Sequence, residues 1–210
     1  MGGQLFVDHP MFPLGQPLLP GALLPLQVFE PRYVTMMRRC LESPEPTFGV
    51  VMIERGHEVG GGDVRARVAT DARIVDVSVR DDGRLAVMAV GGERLRVLSW
   101  LDDDPHPRAR VESWPDEHDG LVGAAEIAER LDAVRTTLDL VERLGGPRSD
   151  VPDLDGLDAS MATHALGTIA PLGSADRFRM LSAPGPRARL AAFDVALGEV
   201  TDALRFRLDG

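Results

Sequence analysis

The sequence predicts an α+β chain, a small β-barrel with one inserted helix over residues 1–117 followed by a helical bundle over residues 118–210. Three observations predict it. Up to about Glu117 the apolar residues fall in short runs rich in β-branched side chains, as half-buried strands require. Turn signals separate or bend those runs, which favours a barrel over a parallel sheet. Beyond Pro115 the hydrophobic period changes from two to 3.6, and long amphipathic helices follow.

The strand runs are Thr47 to Glu54, Ala66 to Val79, Arg84 to Leu101 and Arg108 to Trp114. Asp82-Gly83 joins the middle two as a hairpin. Gly91-Gly92, inside the third, marks a bulge or sharp bend. Ahead of them Leu24 to Tyr33 reads as a strand running straight into a helix. Pro31 pre-sets the first helical turn, and Tyr33, Met36, Met37, Cys40 and Leu41 share one face. In the second half Ile127, Leu131, Val134, Leu138 and Val141 form the stripe of a long helix that stops near Gly145-Gly146. Ala159, Ala162, Leu166 and Ile169 give a second helix. Ser174 is placed to cap a third, with Asp176 in its first turn. Leu190, Phe193, Leu197, Val200 and Leu204 define the last. These stripes need partners, hence a bundle.

Composition narrows the function classes. A single cysteine, Cys40, excludes an intramolecular disulfide, and the amino terminus lacks the charged and apolar regions of a secretion signal, so the cytoplasm is expected. No apolar run reaches the ~20 residues of a membrane span. All 23 basic residues are arginine, and lysine is absent. Mechanisms that need a lysine are therefore closed to this chain.

The motifs that would carry metal or cofactor chemistry are incomplete. His57-Glu58 begins a zinc motif whose second histidine position is Gly61, and Gly60 to Asp63 lacks the glycine and helix of a dinucleotide fingerprint. Asp153, Asp155 and Gly156 match part of a calcium loop, but its first and last ligand places are Val151 and Ala162. Cys40 lies on an apolar helix face and reads as core. No metal, no cofactor and no catalytic residue is expected.

The stretches MFPLGQPLLPGALLPLQVFEPRY, FGVVMIERGHEVGGGD, VATDARIVDV, LAVMAVGGERLRVLSWL and IAPLGSADRFRMLSAP together resemble the amino-terminal, substrate-binding domain family of the Lon protease, in its short free-standing form. Phe29, Glu30, Pro31, Arg32 and Tyr33 are the most specific piece of the resemblance; residues 1–10 fall outside it. The resemblance implies a PUA-like β-barrel, a carboxy-terminal helical bundle and a role in recognising polypeptides. It does not imply an enzyme, because Lon's ATPase loop and its Ser-Lys protease site both need lysine.

The expected function is thus a non-catalytic polypeptide-binding module, with an adaptor role in protein quality control as its narrower form. Expected partners are unfolded or specific polypeptides and, beyond them, a protease. Recognition is expected on the loop carrying Arg55, His57, Glu58 and Asp63, since loops on a rigid scaffold carry binding. Trp100 and Trp114 are the aromatic candidates for an apolar contact, at least one of them expected in the core. The junction Phe29 to Tyr33 is expected to be structural, with Phe29 and Val34 stapling the helix start and Glu30 meeting Arg32. The alternative is a nucleic-acid-binding PUA-like protein using Arg65, Arg67, Arg73, Arg80 and Arg84, which a net charge of −10 opposes.

Overall fold

A computed structural model describes residues 3–55 and 64–209. The chain divides into two units, Met1–Pro115 and Asp116–Gly210. The first holds strands β1 (Leu5–Leu14), β2 (Leu23–Val28), β3 (Thr47–Arg55), β4 (Val64–Val79), β5 (Leu85–Trp100) and β6 (Arg108–Ser113), with helix α1 (Pro31–Cys40) between β2 and β3. The second holds α2 (Ala124–Arg143), α3 (Ala159–Ile169), α4 (Ser174–Leu181) and α5 (Pro186–Asp209).

The six strands form one sheet in the order β2-β5-β4-β3-β1-β6, and β5 also pairs with β6. The pairings therefore return on themselves through β5, and the sheet is barrel-like with β2 outside the ring. β2 borders only β5 and is an edge. One pairing is parallel while the others are antiparallel: the second half of β1 runs alongside β3, from Met11↔Gly49 to Leu14↔Met52. The first half of β1 runs antiparallel to β6. Residues 5–10, outside the recognised stretches, thus supply a barrel strand. Pro10 and Pro13 inside that strand masked it in the sequence, because proline is depleted from strand interiors.

The Asp82-Gly83 turn joins β4 to β5, with Gly83 at φ +81°, a left-handed conformation that glycine adopts without strain. At Gly91 the backbone of Leu19 comes so close that an added Cβ would lie 2.4 Å from its carbonyl oxygen. The pairing of β4 with β5 shifts register beside this point, which is the bend the two glycines predicted.

Phe12, Leu26, Val28, Tyr33, Met36, Met37, Phe48, Val50, Leu85 and Val87 are among the buried residues that pack the core of this unit. The helix face differs from expectation at one position. Leu41 is 42% exposed because α1 has ended at Cys40 and the chain turns away. Cys40 is buried, and burial, reinforced by the Asp71 carboxylate, pushes its thiol up to about 11. That shift keeps the thiol protonated at neutral pH.

The helical unit packs around Leu131, Val134, Leu166, Met180, Leu190 and Phe193. Toward its C-terminal end α2 buries Thr137 and Leu140, where the sequence stripe named Leu138 and Val141; Thr137 Oγ1 meets Thr201 Oγ1 of α5 at 2.8 Å. Two arrangements were invisible to periodicity. Asp119 accepts hydrogen bonds from the backbone N–H groups of Arg187 and Ala188, capping α5 from a distant loop. Arg189 is fully buried and ties the unit together: its guanidinium meets the Asp116 carboxylate, donates to Thr163 Oγ1 at 2.9 Å and reaches the Met180 carbonyl oxygen at 3.3 Å. Gly173, not Ser174, occupies the N-cap of α4, so the serine caps nothing there.

Candidate functional site

Strand β2 reads LLPLQV, and a proline inside a strand points to an edge, where its missing N–H breaks no ladder bond. The ladder to β5 pairs Leu24 with Ala89, Leu26 with Val87 and Val28 with Leu85. Gly91 N–H donates to the Ala22 carbonyl oxygen in the same register, so the hydrogen-bonded positions are 22, 24, 26 and 28. Leu23, Pro25 and Gln27 consequently turn their backbone groups away from the sheet. All three are exposed, Leu23 to 67%. The edge offers two N–H donors, of Leu23 and Gln27, and three carbonyl acceptors.

Beside that edge runs a groove of about 220 Å³. Phe12 and Leu14 of β1, Pro25 to Val28 of β2, and Phe29, Glu30 and Tyr33 of the junction line it. The Phe12 and Tyr33 rings stack at 4.3 Å, and Phe48 supports Phe12 from 6.1 Å. Both rings are buried and form the packed base of the groove, above which the exposed Phe29 ring stands as its aromatic surface. Phe29 stands 55% exposed, with the Arg84 guanidinium 5.9 Å from its ring centre. It is not sealed into a staple at the helix start. Its side chain belongs to the groove wall instead.

Glu30 occupies the N-cap of α1 without a side-chain capping bond. Its Oε2 accepts from Arg32 Nε at 3.1 Å and lies 3.0 Å from Arg32 Nη2. The Arg32 guanidinium also covers Tyr33, 4.6 Å from the ring centre. Each charged side chain is 21% exposed, so the pair is partly sheltered from screening. Glu30→Ala is expected to lower stability by about 0.5–1 kcal/mol, read as a lower melting temperature. An unchanged melt would show that the pair does no structural work.

The residues expected from the sequence to bind polypeptide do not converge on this groove. Arg55 is exposed at the end of β3. His57, Glu58 and Asp63 lie outside the described residues. Trp100 and Trp114 sit at opposite ends of the β5–β6 ladder, and neither is a core residue. Each is half-buried under arginine: Arg65 lies 4.9 Å from the Trp100 ring, and Arg94 and Arg96 lie 4.2 and 4.6 Å from that of Trp114. Cation–π contact accounts for both without a ligand. Sequence reasoning passed over Leu23, Pro25 and Gln27, although Pro25 carried the signal of an edge. Among the described residues no cluster of three or more His, Cys, Asp or Glu side chains can hold a metal, and no helix is long and apolar enough to cross a membrane.

Residues 8–193 match the family model described as the ATP-dependent protease La (LON) substrate-binding domain. Among solved structures, the chain is similar to the Lon N-terminal domain protein from Xanthomonas campestris, at 29% identity and a TM-score of 0.66, over 89% of this chain and 96% of that one. It is also similar to the N-terminal domain of the Mycobacterium avium complex Lon protease, at 16% identity and a TM-score of 0.57, over 93% and 98% of the two chains. The second likeness is one of fold. With nearly its whole length matched, the chain belongs to the Lon substrate-binding domain family.

Proposed function

We propose that the protein is a non-catalytic polypeptide-binding module that takes extended, unfolded segments as an added strand on β2. The single observation that carries this reading is the unpaired β2 edge beside an aromatic groove. An extended chain laid along β2 satisfies the outward groups of Leu23, Pro25 and Gln27, and its alternate side chains enter the groove. Backbone pairing is indifferent to sequence, which suits a protein that must accept many unfolded chains. Family membership supports binding of substrate, and the lack of lysine removes Lon's own ATPase and protease chemistry. An adaptor role in protein quality control, in the cytoplasm and with a protease as partner, is the narrower form of the proposal.

Gln27→Pro tests it. Position 27 donates nothing to the β5 ladder, so the substitution deletes one outward donor and leaves the sheet's own bonds in place. Capture of unfolded casein is expected to fall by about tenfold, with a melting temperature close to that of the parent. Undiminished capture by a folded Gln27→Pro protein would remove β2 from the binding surface.

The nucleic-acid alternative has less to stand on. Of the five arginines that might form a patch, Arg65 is held by Asp103 through two bonds and Arg84 by Asp82. Each of these two therefore has a carboxylate beside it that a phosphate would have to displace.

A further inference from the structure

A groove of about 460 Å³ lies wholly within the helical unit, between the amino-terminal half of α2 and residues 151–157, which lead toward α3. Its floor is core: Ile127, Leu131, Leu154 and Ala162 are buried there. The apolar surface it offers to a partner comes from other residues. Ala124 and Ala128 are exposed along α2, Leu157 is 45% exposed on the facing segment, and Val122 and Val151 are half-buried. Two alanines one turn apart on the same helix face leave room where longer side chains would fill it.

Charge says what fits this room. Asp132 and Arg135 of α2 and Asp153 and Asp155 of the facing segment are its exposed charged lining. Arg135 Nη1 already holds Asp132 Oδ1 at 2.7 Å. Asp153 Oδ1 accepts from the Asp155 backbone N–H at 3.0 Å, and neither of these two carboxylates has an ion pair among the described residues. Three carboxylates against one guanidinium leave the groove negative, in a chain of net charge −10. Such a groove repels nucleic acid and acidic peptides, and attracts apolar side chains flanked by cations. The backbone groups of the α2 wall bond within the helix, so an extended chain finds no ladder partner there. Recognition therefore rests on side chains, as when a helix lies in a groove. From Ala124 to Arg135 α2 rises about 17 Å, roughly three turns, which a short partner helix matches.

We infer that this groove docks a basic amphipathic helix of a partner polypeptide. Its apolar face covers Ala124, Ala128 and Leu157, and its lysines or arginines meet Asp153 and Asp155. The surface belongs to the helical unit alone and does not depend on strand addition at β2. It also selects differently, for an ordered helix of one charge sign rather than for any extended chain.

The test is a fluorescence-anisotropy titration of the full-length protein with a labelled helical peptide of about four turns, leucines on one face and lysines on its flanks. Saturation is expected with a Kd on the order of 10 μM. A peptide with glutamate in place of lysine, and one of the same composition scrambled to break the apolar face, are each expected to bind at least about tenfold more weakly. Ala128→Phe fills the groove from an exposed helix position and is expected to weaken the lysine peptide by about tenfold with little change in melting temperature. Replacing Asp153 and Asp155 together by asparagine keeps the acceptor for the Asp155 N–H and is expected to weaken it by about threefold. Gln27→Pro is expected to leave this binding as it was. Equal binding of the glutamate or the scrambled peptide, no saturation by the lysine peptide in the micromolar range, or parental affinity in a folded Ala128→Phe protein or in the asparagine variant would each overturn the assignment. Loss of binding in Gln27→Pro would also overturn it, by placing the peptide on β2. Should Ala128→Phe not fold, the asparagine variant and the peptide selectivity decide.

Discussion

Replacing Arg189 by methionine is expected to cost the helical unit about 3–5 kcal/mol, the largest effect of any single polar substitution in it. The guanidinium is fully buried and holds the Asp116 carboxylate, the Thr163 hydroxyl and the carbonyl oxygens of Met180 and Ser160 at once. Methionine fills much of the same space but strips the Asp116 carboxylate, only 15% exposed, of its guanidinium. A buried charge deprived of its partner costs far more than the intact pair contributes, because desolvation of the remaining charge is no longer offset. The double variant Arg189→Met, Asp116→Leu is expected to regain more than half of the loss. Calorimetric melts of the parent, both single variants and the double give the coupling directly. A loss below about 1 kcal/mol for Arg189→Met would show that water replaces the arginine and that the network is not what fastens α3, α4 and α5.

Phe48→Ala is the corresponding test in the β unit. Phe48 is fully buried in β3, and its ring stands behind the Phe12–Tyr33 stack at the base of the groove beside β2. Truncation removes a large buried side chain and leaves a cavity, at an expected cost of about 3–5 kcal/mol. The effect reaches binding as well, because Phe12 loses its backing and the stacked base loosens. Capture of unfolded casein, measured below the variant's melting transition, is expected to fall together with stability. Full capture by a destabilised but folded protein would separate the groove base from recognition.

Hydrophobic patterning in the sequence was enough for α1, for the four strands β3 to β6 and for α2, α3 and α5, because burial sets those patterns, whereas α4 was read from a serine that does not cap it. The residues it could not reach share a physical reason: their meaning lies in partners distant in the chain. Asp119 caps a helix 68 residues away, and Arg189 reaches 73 residues back to Asp116. β1 was hidden by its own prolines and by its mixed pairing, parallel to β3 and antiparallel to β6. The groove escaped for another reason. Leu23, Pro25 and Gln27 are ordinary residues, and only the pairing order that leaves β2 at an edge gives their backbone groups a use. Aromatic content pointed to Trp100 and Trp114, yet arginines cover both rings. Tryptophans are conspicuous in a chain with 5% aromatic residues, but prominence in composition is not access in space.

The most direct test of strand addition on β2 is hydrogen exchange of the full chain with and without saturating unfolded casein. The account predicts slower exchange in the segments carrying the outward N–H groups of Leu23 and Gln27, which have no ladder bond in the protein alone. Exchange at β4, already paired on both sides, is predicted to stay as it was. Casein that does not bind, or that binds and leaves exchange at Leu23 and Gln27 unchanged while another surface becomes protected, would contradict it.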